Sequence, residues 1–234
     1  DARGGVARMV REFGVNSRAD LEEFRFNEFA QSANYRDLDL SYMPEGSAFA
    51  LAKIAPLLVK SGKTFTMKMM SDLTTADIRS NHVVYIGYIS ALDRLANLAF
   101  AGSGLAVGRS YDELIDVGEA RYFTSDAGLP AEGQPFRDYG FFSSFSASHD
   151  SRVILVAGMR DAGLMHTAQA LSESASLVEL QNAFDGQNEL AEEGVENWAG
   201  EALYEVYGVD RMNFDARLVY RAQLETESVW RTAN

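Results

Sequence analysis

The apolar run that sets the architecture reads Asn81-His82-Val83-Val84-Tyr85-Ile86-Gly87-Tyr88-Ile89-Ser90. Its central part, residues 83–89, carries no charge, which is typical of a strand in the middle of a sheet that is covered on both faces. Ser90 is then a predicted cap for a helix with Leu92 and Leu95 on its apolar side. The run therefore predicts a strand followed directly by a helix.

The neighbouring segments repeat this order of strand and helix. Residues 38–43 and 64–70 have strand-like apolar patterns, and a helix capped by Ser47 is predicted between them. Residues 153–157 are a further predicted strand, which leads through Gly158 into another helix. Because strands that alternate with helices form crossover units, we expect these strands to be parallel neighbours.

Two later pairs of strands have the spacing of antiparallel hairpins. Residues 139–145 pair with 152–157, and residues 202–207 pair with 216–224. The predicted fold is therefore α/β, a three-layer sandwich with a mixed, largely parallel central sheet and antiparallel hairpin additions. Tyr85 and Ile154 should be among its most buried side chains.

The first residues have a different pattern from the rest of the chain. Apolar residues recur at helical spacing from Val6 to Phe13. We expect residues 1–36 to form an N-terminal connector helix region and residues 37–234 to form the α/β domain. The chain begins at Asp1 without Met and without a signal region, so we expect it to be either processed or a part of a longer chain. In the second case, an upstream module of the same chain is the expected partner.

The composition excludes several classes of protein. With 21 basic and 34 acidic residues the net charge is −13, which argues against direct nucleic-acid binding by this segment. The chain contains no Cys and therefore no disulfide or thiolate nucleophile. Its longest apolar runs are strand-sized, so no membrane span is predicted. The compartment, cytoplasmic or periplasmic, is left open.

Three predicted junctions between a strand and the next helix, at residues 44–47, 87–90 and 158–161, share one physical property. In a parallel sheet these junctions meet at one edge, where helix N-termini favour anions, and Arg160 adds a positive charge. We therefore predict a site for a small anionic or polar molecule, with the following ligand-binding residues: Gly46, Ser47, Gly87, Tyr88, Ser90, Arg160 and Asp161. The alternative is that both serines only cap helices and that Arg160 pairs with Asp161 or another acid.

Known catalytic motifs are not found in the sequence. No Gly-x-Ser-x-Gly elbow is present, and His82, His149 and His166 stand apart from one another, so we predict neither a metal nor a cofactor. A serine-dependent hydrolase or transferase using Ser47 or Ser90 with an unidentified base is an alternative to ligand binding, and a structural protein-interaction domain is another.

Two stretches carry a resemblance to a known group of proteins. Residues 39–51 (DLSYMPEGSAFAL) and 81–90 (NHVVYIGYIS) resemble the α/β sensor-like domains that follow a helix-turn-helix or membrane-anchoring region in proteobacterial proteins. The similarity continues through residues 107–114 and 152–163 and covers roughly residues 37–171. The group is similar in turn to the halves of periplasmic-binding-type folds, which implies ligand recognition by analogy of fold.

Overall fold

The structure is a computed structural model that describes residues 15, 18–27, 43–128, 132–147, 151–185, 199–210 and 212–224. The chain divides into two compact units, Asp1–Tyr42 and Met43–Asn234. The first unit contains helix α1, Arg18–Phe26. The helix predicted around Val6 lies outside the described residues and stays a prediction.

The second unit is built on a five-stranded sheet. Its strands are β1 (Val83–Tyr88), β5 (Pro135–Ser146), β6 (Arg152–Gly158), β7 (Gly200–Val209) and β8 (Met212–Gln223), in the order β1-β6-β5-β7-β8. Strands β1 and β6 run parallel, and the other three neighbouring pairs are antiparallel. The mixed sheet and both predicted hairpins are confirmed.

The balance of strand directions differs from the prediction of a largely parallel sheet. The two hairpins form the middle and one side of the sheet, where we had expected them as additions to it. The physical reason is that β5 is long and mostly buried, so it forms ladders with both β6 and β7. One parallel pair therefore remains within the described sheet.

A second, three-stranded antiparallel sheet, called the small sheet below, is formed by β2 (Leu105–Val107), β3 (Glu113–Asp116) and β4 (Arg121–Thr124). Six α-helices are described in all: α1, α2 (Glu45–Lys60), α3 (Thr75–Ser80), α4 (Arg94–Ala101), α5 (Asp161–Ser172) and α6 (Ser174–Asp185). Among these described helices, none has the length and apolar character that a membrane span requires.

The main sheet separates two apolar layers, so the predicted three-layer arrangement is confirmed. On one face, Phe142 and Tyr204 pack against α5 and α6, and Val156 packs against α2 and α5. On the other face, Phe141 and Leu203 belong to a larger core with buried residues from α4 and the three-stranded sheet. The sheet is therefore covered by helices on one side and by α4 with the small sheet on the other.

Some predicted elements are absent or displaced. Residues 64–69 form no strand and are exposed, and Met70 begins a short 3₁₀ turn. Apolar alternation there lacks the ladder of hydrogen bonds that defines a strand. Residues 38–42 lie outside the described residues. Tyr85 is buried as predicted, whereas Ile154 is only half-buried, between two apolar clusters, so that prediction is wrong.

Candidate functional site

The structure brings described residues of all three predicted junctions, Gly46, Tyr88 and Asp161, together at one carboxylate. Tyr88 and Gly158 are paired at the carboxyl ends of β1 and β6. Asp161 Oδ1 accepts the N–H of Gly46, at 2.8 Å, and the hydroxyl of Tyr88, at 2.7 Å. A Cβ on Gly46 would overlap the Asp161 side chain, so this close approach requires glycine. Residues far apart in sequence thus meet at the predicted edge.

Each of the two helix N-termini at this edge already holds a carboxylate of the chain. Asp161 caps α2 through Gly46, as described above. Asp138, in β5, caps α5: its Oδ2 accepts the N–H of Gly163 at 2.7 Å, and its Oδ1 accepts the hydroxyl of Ser125 at 2.8 Å. The positive ends of both helix dipoles are therefore satisfied internally.

Arg160 extends from the same junction towards the small sheet. Its Nε donates to Asp112 Oδ1 at 2.7 Å and its Nη2 donates to Asp112 Oδ2, a two-point pair between the guanidinium and a carboxylate. The Arg160 side chain is 18% exposed and that of Asp112 is 33% exposed. The alternative in which Arg160 pairs with an acid therefore describes the structure, and the acid is Asp112.

These residues form one electrostatic unit, the junction cluster: Gly46, Tyr88, Asp112, Asp138, Arg160 and Asp161. The charges of Asp161, Arg160 and Asp138 all act on the Tyr88 hydroxyl. Burial together with the bond to Asp161 raises the pKa of Tyr88 far above its usual range, which keeps it a hydrogen-bond donor.

The remaining predicted site residues have other positions. Ser47 is the third residue of α2, whose N-cap is Pro44, and Ser90 lies in a 3₁₀ turn, with Asp93 as the N-cap of α4. The prediction that both serines cap helices is wrong, because the N-cap of each helix is a different residue. Gly87 is buried, and a Cβ there would overlap the Tyr85 hydroxyl.

Sequence reasoning missed Asp112 and Asp138. The sequence held a signal for Asp138, which is a charged residue within a largely apolar strand. A buried carboxylate requires hydrogen-bond donors nearby. Asp112 had no such signal, since its contact with Arg160 depends on how the small sheet packs on the main one.

His82 and His166 take no part in the hydrogen bonds described for the junction cluster. His82 is exposed just before β1, and His166 packs edge-on against the Tyr204 ring, with 5.0 Å between ring centroids. Burial lowers the pKa of His166. His149 lies outside the described residues. In the described ranges, no group of three or more His, Cys, Asp or Glu residues could hold a metal ion.

A concave surface is lined by residues of the small sheet, the turn within it and β8. It is an open depression of about 400 Å³ whose lining includes Asp116, Arg121 and Tyr220. The Tyr220 hydroxyl and the Gly104 N–H donate to the buried Glu201 carboxyl, at 2.8 and 3.0 Å. These bonds join the small sheet to β7 and β8, which gives the polar groups a structural role.

The pH dependence of stability should reveal the buried carboxyl of Asp138. Burial raises its pKa from 3.8 to about 6, so the folded state binds the proton more tightly than the unfolded state. Its contribution is therefore greatest below about pH 4 and is lost as the pH rises through 6. We expect the free energy of unfolding of wild type minus that of Asp138→Asn to fall by about 2 kcal/mol between pH 4 and 7.5.

Urea unfolding at a series of pH values measures this difference. Asp72→Asn, at an exposed carboxylate, controls for the loss of one negative charge. A difference that grows with pH would contradict the prediction, because it would show that the hydrogen-bond donors around Asp138 outweigh its burial.

Two groups of the cluster can bind a small molecule. The Arg160 guanidinium can donate two parallel hydrogen bonds to a planar anion, and the Asp161 carboxylate can accept hydrogen bonds.

Comparison with known proteins identifies no relative of the chain. No protein-family model matches the chain, and neither a curated protein nor a solved structure matches it.

Proposed function

We propose that this domain binds a small anionic or polar ligand at the junction cluster, as a sensor or regulatory domain of a larger bacterial protein. The observation that carries the proposal is the meeting of Arg160, Tyr88 and Asp161 at the carboxyl ends of β1 and β6. Ligands of open α/β sheets bind at this position, because helices begin and loops are free to vary there. The resemblance to sensor-like domains agrees with this.

The hydrogen bonds support binding through preorganisation. Tyr88 and Gly46 fix the carboxylate of Asp161, while the Arg160 guanidinium is held by two hydrogen bonds to Asp112. A ligand that uses these groups would not have to order them first, which lowers the entropic cost of binding. The net charge of −13 opposes an anion at long range, but screening limits that effect to about 8–10 Å.

A second candidate function is supported by the capped helices. Because both N-termini hold carboxylates of the chain itself, the cluster could serve only to hold α2, α5 and the sheet together in a structural interaction domain. The two functions differ in one respect: only the first predicts that added small molecules stabilise the protein through Arg160.

We expect a ligand of the site to raise the melting temperature of wild type by about 3 °C when present at ten times its Kd. Arg160→Gln should abolish that shift, because the variant loses the charge and the two-point fork. Differential scanning fluorimetry with a panel of small carboxylates, phosphates and polar metabolites measures the shifts.

The matched control is Arg121→Gln. Arg121 also pairs with an aspartate, Asp116, but lies outside the junction cluster. Arg121→Gln should retain every shift of wild type. Equal shifts for wild type and Arg160→Gln would exclude Arg160 from the site, and no shift with any compound would favour the structural function.

A further inference from the structure

The carboxylate of Asp112 already makes the contact that an anionic ligand of Arg160 would make. It accepts from Nε and Nη2 of the same guanidinium, so both of its oxygens are used. Gly128 lies against this guanidinium, and a Cβ there would come within 3.4 Å of Nη2. The two N–H groups of the Arg160 guanidinium are thus bound by the planar carboxylate of Asp112, and Gly128, which has no side chain, lies beside them.

The turn that carries Asp112 is held by bonds that do not involve its carboxylate. The Ser125 N–H donates to the Asp112 carbonyl at 2.8 Å, and the Glu113 N–H donates to the Ser110 carbonyl at 3.0 Å. The backbone is therefore fixed to the small sheet. With a third of its side chain exposed, Asp112 could turn into water by a change of rotamer alone.

We propose that Asp112 is an internal competitor of the ligand, and that a small monocarboxylate binds by replacing the Asp112 carboxylate on Arg160. This inference rests on the proposed function of the junction cluster and names the chemical class of its ligand. Exchange of one carboxylate for another keeps the Arg160 charge paired throughout, so neither state buries an unpaired cation.

The charges of the cluster limit the ligand to a single carboxylate. Asp161 follows Arg160 directly in the chain, and its Oδ1 accepts the Tyr88 hydroxyl at 2.7 Å. The Asp138 carboxyl accepts the Gly163 N–H at 2.7 Å, in the first turn of the helix that begins at Asp161. A second negative charge on the ligand would face these two carboxyls and be repelled. A hydroxyl or amino group next to the ligand's carboxylate would find an acceptor in the partly exposed Asp161 carboxylate instead.

Removal of the competitor should strengthen binding. An exposed ion pair contributes little, but a partly buried two-point pair contributes more, so we expect Asp112→Asn to bind acetate on the order of tenfold more tightly than wild type. Sodium acetate is titrated against sodium chloride at constant ionic strength, and the readout is the backbone N–H signals of residues 160 and 161 in ¹H–¹⁵N NMR, which every variant retains. Inorganic phosphate serves as the tetrahedral comparison.

Four variants separate the possible outcomes. Asp112→Ser repeats the test with a side chain that lacks the amide, Glu119→Gln controls for the loss of an exposed charge in a neighbouring turn, and Asp112→Asn combined with Arg160→Gln tests whether the gain requires Arg160. Circular dichroism confirms that each variant is folded. The proposal expects a gain in acetate affinity for both Asp112 variants, no gain for Glu119→Gln, and loss of binding in the double variant.

Other results would overturn the inference in distinguishable ways. Equal acetate affinity of wild type and both Asp112 variants, still lost with Arg160→Gln, would overturn competition by Asp112 and leave the proposed function standing. Binding of phosphate without acetate would overturn the carboxylate class. If neither anion perturbs the backbone N–H signals of residues 160 and 161 in wild type or in either Asp112 variant, anion binding at the cluster and the proposed competition are both overturned.

Discussion

Replacement of Phe141 by alanine is expected to lower the free energy of unfolding by about 4 kcal/mol. Phe141 is fully buried in β5, in the middle of the main sheet, and its ring stacks on Phe100 of α4 with 5.8 Å between centroids. It belongs to the larger of the two apolar layers. Because this layer joins the main sheet to α4 and the small sheet, the cavity would lie where it cannot collapse easily.

Urea unfolding followed by circular dichroism measures the loss. The control is Phe65→Ala, which removes the same side chain at a position that is 49% exposed, and it should change stability by less than about 1 kcal/mol. A loss below about 1 kcal/mol for Phe141→Ala would show that this layer is not tightly packed and would remove the physical basis for the three-layer fold.

The elements with a strong local signal could be predicted from the sequence. The uncharged run at residues 83–89 became β1, and the amphipathic pattern after Arg160 became α5. Thr74 and Asp77 form a capping box at the start of α3, where the sequence has the spacing for it. In each case the pattern that predicts the element lies within a short stretch of consecutive residues.

The order of the strands could not be derived in the same way. That β5 lies between β6 and β7 depends on ladders between distant residues, such as Gly140 with Tyr204. The apolar character of β5 predicts burial but not its neighbours, so the share of parallel pairs was overestimated. Residues 64–69 show the same limit, since alternation is compatible with a strand only when a partner ladder exists.

The candidate site was predictable to the extent that it depends on the ends of strands. Tyr88 and Asp161 meet because β1 and β6 are parallel neighbours, each followed by a helical turn, and Gly46 at the start of α2 bonds to the same carboxylate. Asp112 and Asp138 enter from a different sheet and from an antiparallel strand, and neither element belongs to a crossover unit. Sequence reasoning therefore missed Asp112, which pairs with the predicted charge of Arg160, and Asp138, which accepts from the start of α5.

The close packing of α5 on β5 leads to the other large expected effect. A Cβ on Gly163 would overlap the backbone of Tyr139 and Gly140, because the helix touches the strand at this glycine. Helix propensity alone would make Gly163→Ala stabilising by about 1 kcal/mol. The steric overlap acts in the opposite direction. The overlapping atoms belong to the backbone of β5, which cannot move away as the end of a flexible side chain could.

We expect the steric effect to dominate, so that Gly163→Ala lowers the free energy of unfolding by about 3 kcal/mol. The helix must move away from the sheet, which stretches the bond from the Gly163 N–H to Asp138 and shifts Asp161 from Tyr88. The variant should therefore also lose any ligand-induced shift in melting temperature that wild type shows.

Equilibrium unfolding in urea and the same fluorimetric titration measure the two effects. Gly118→Ala is the matched control, because a Cβ there meets only Asp116, at an ordinary 3.6 Å, and its stability should stay within about 1 kcal/mol of wild type. A stabilised Gly163→Ala variant would mean that α5 can leave the strand without cost. In that case the alignment of Asp138 and Asp161 at the sheet edge could not depend on the glycine contact.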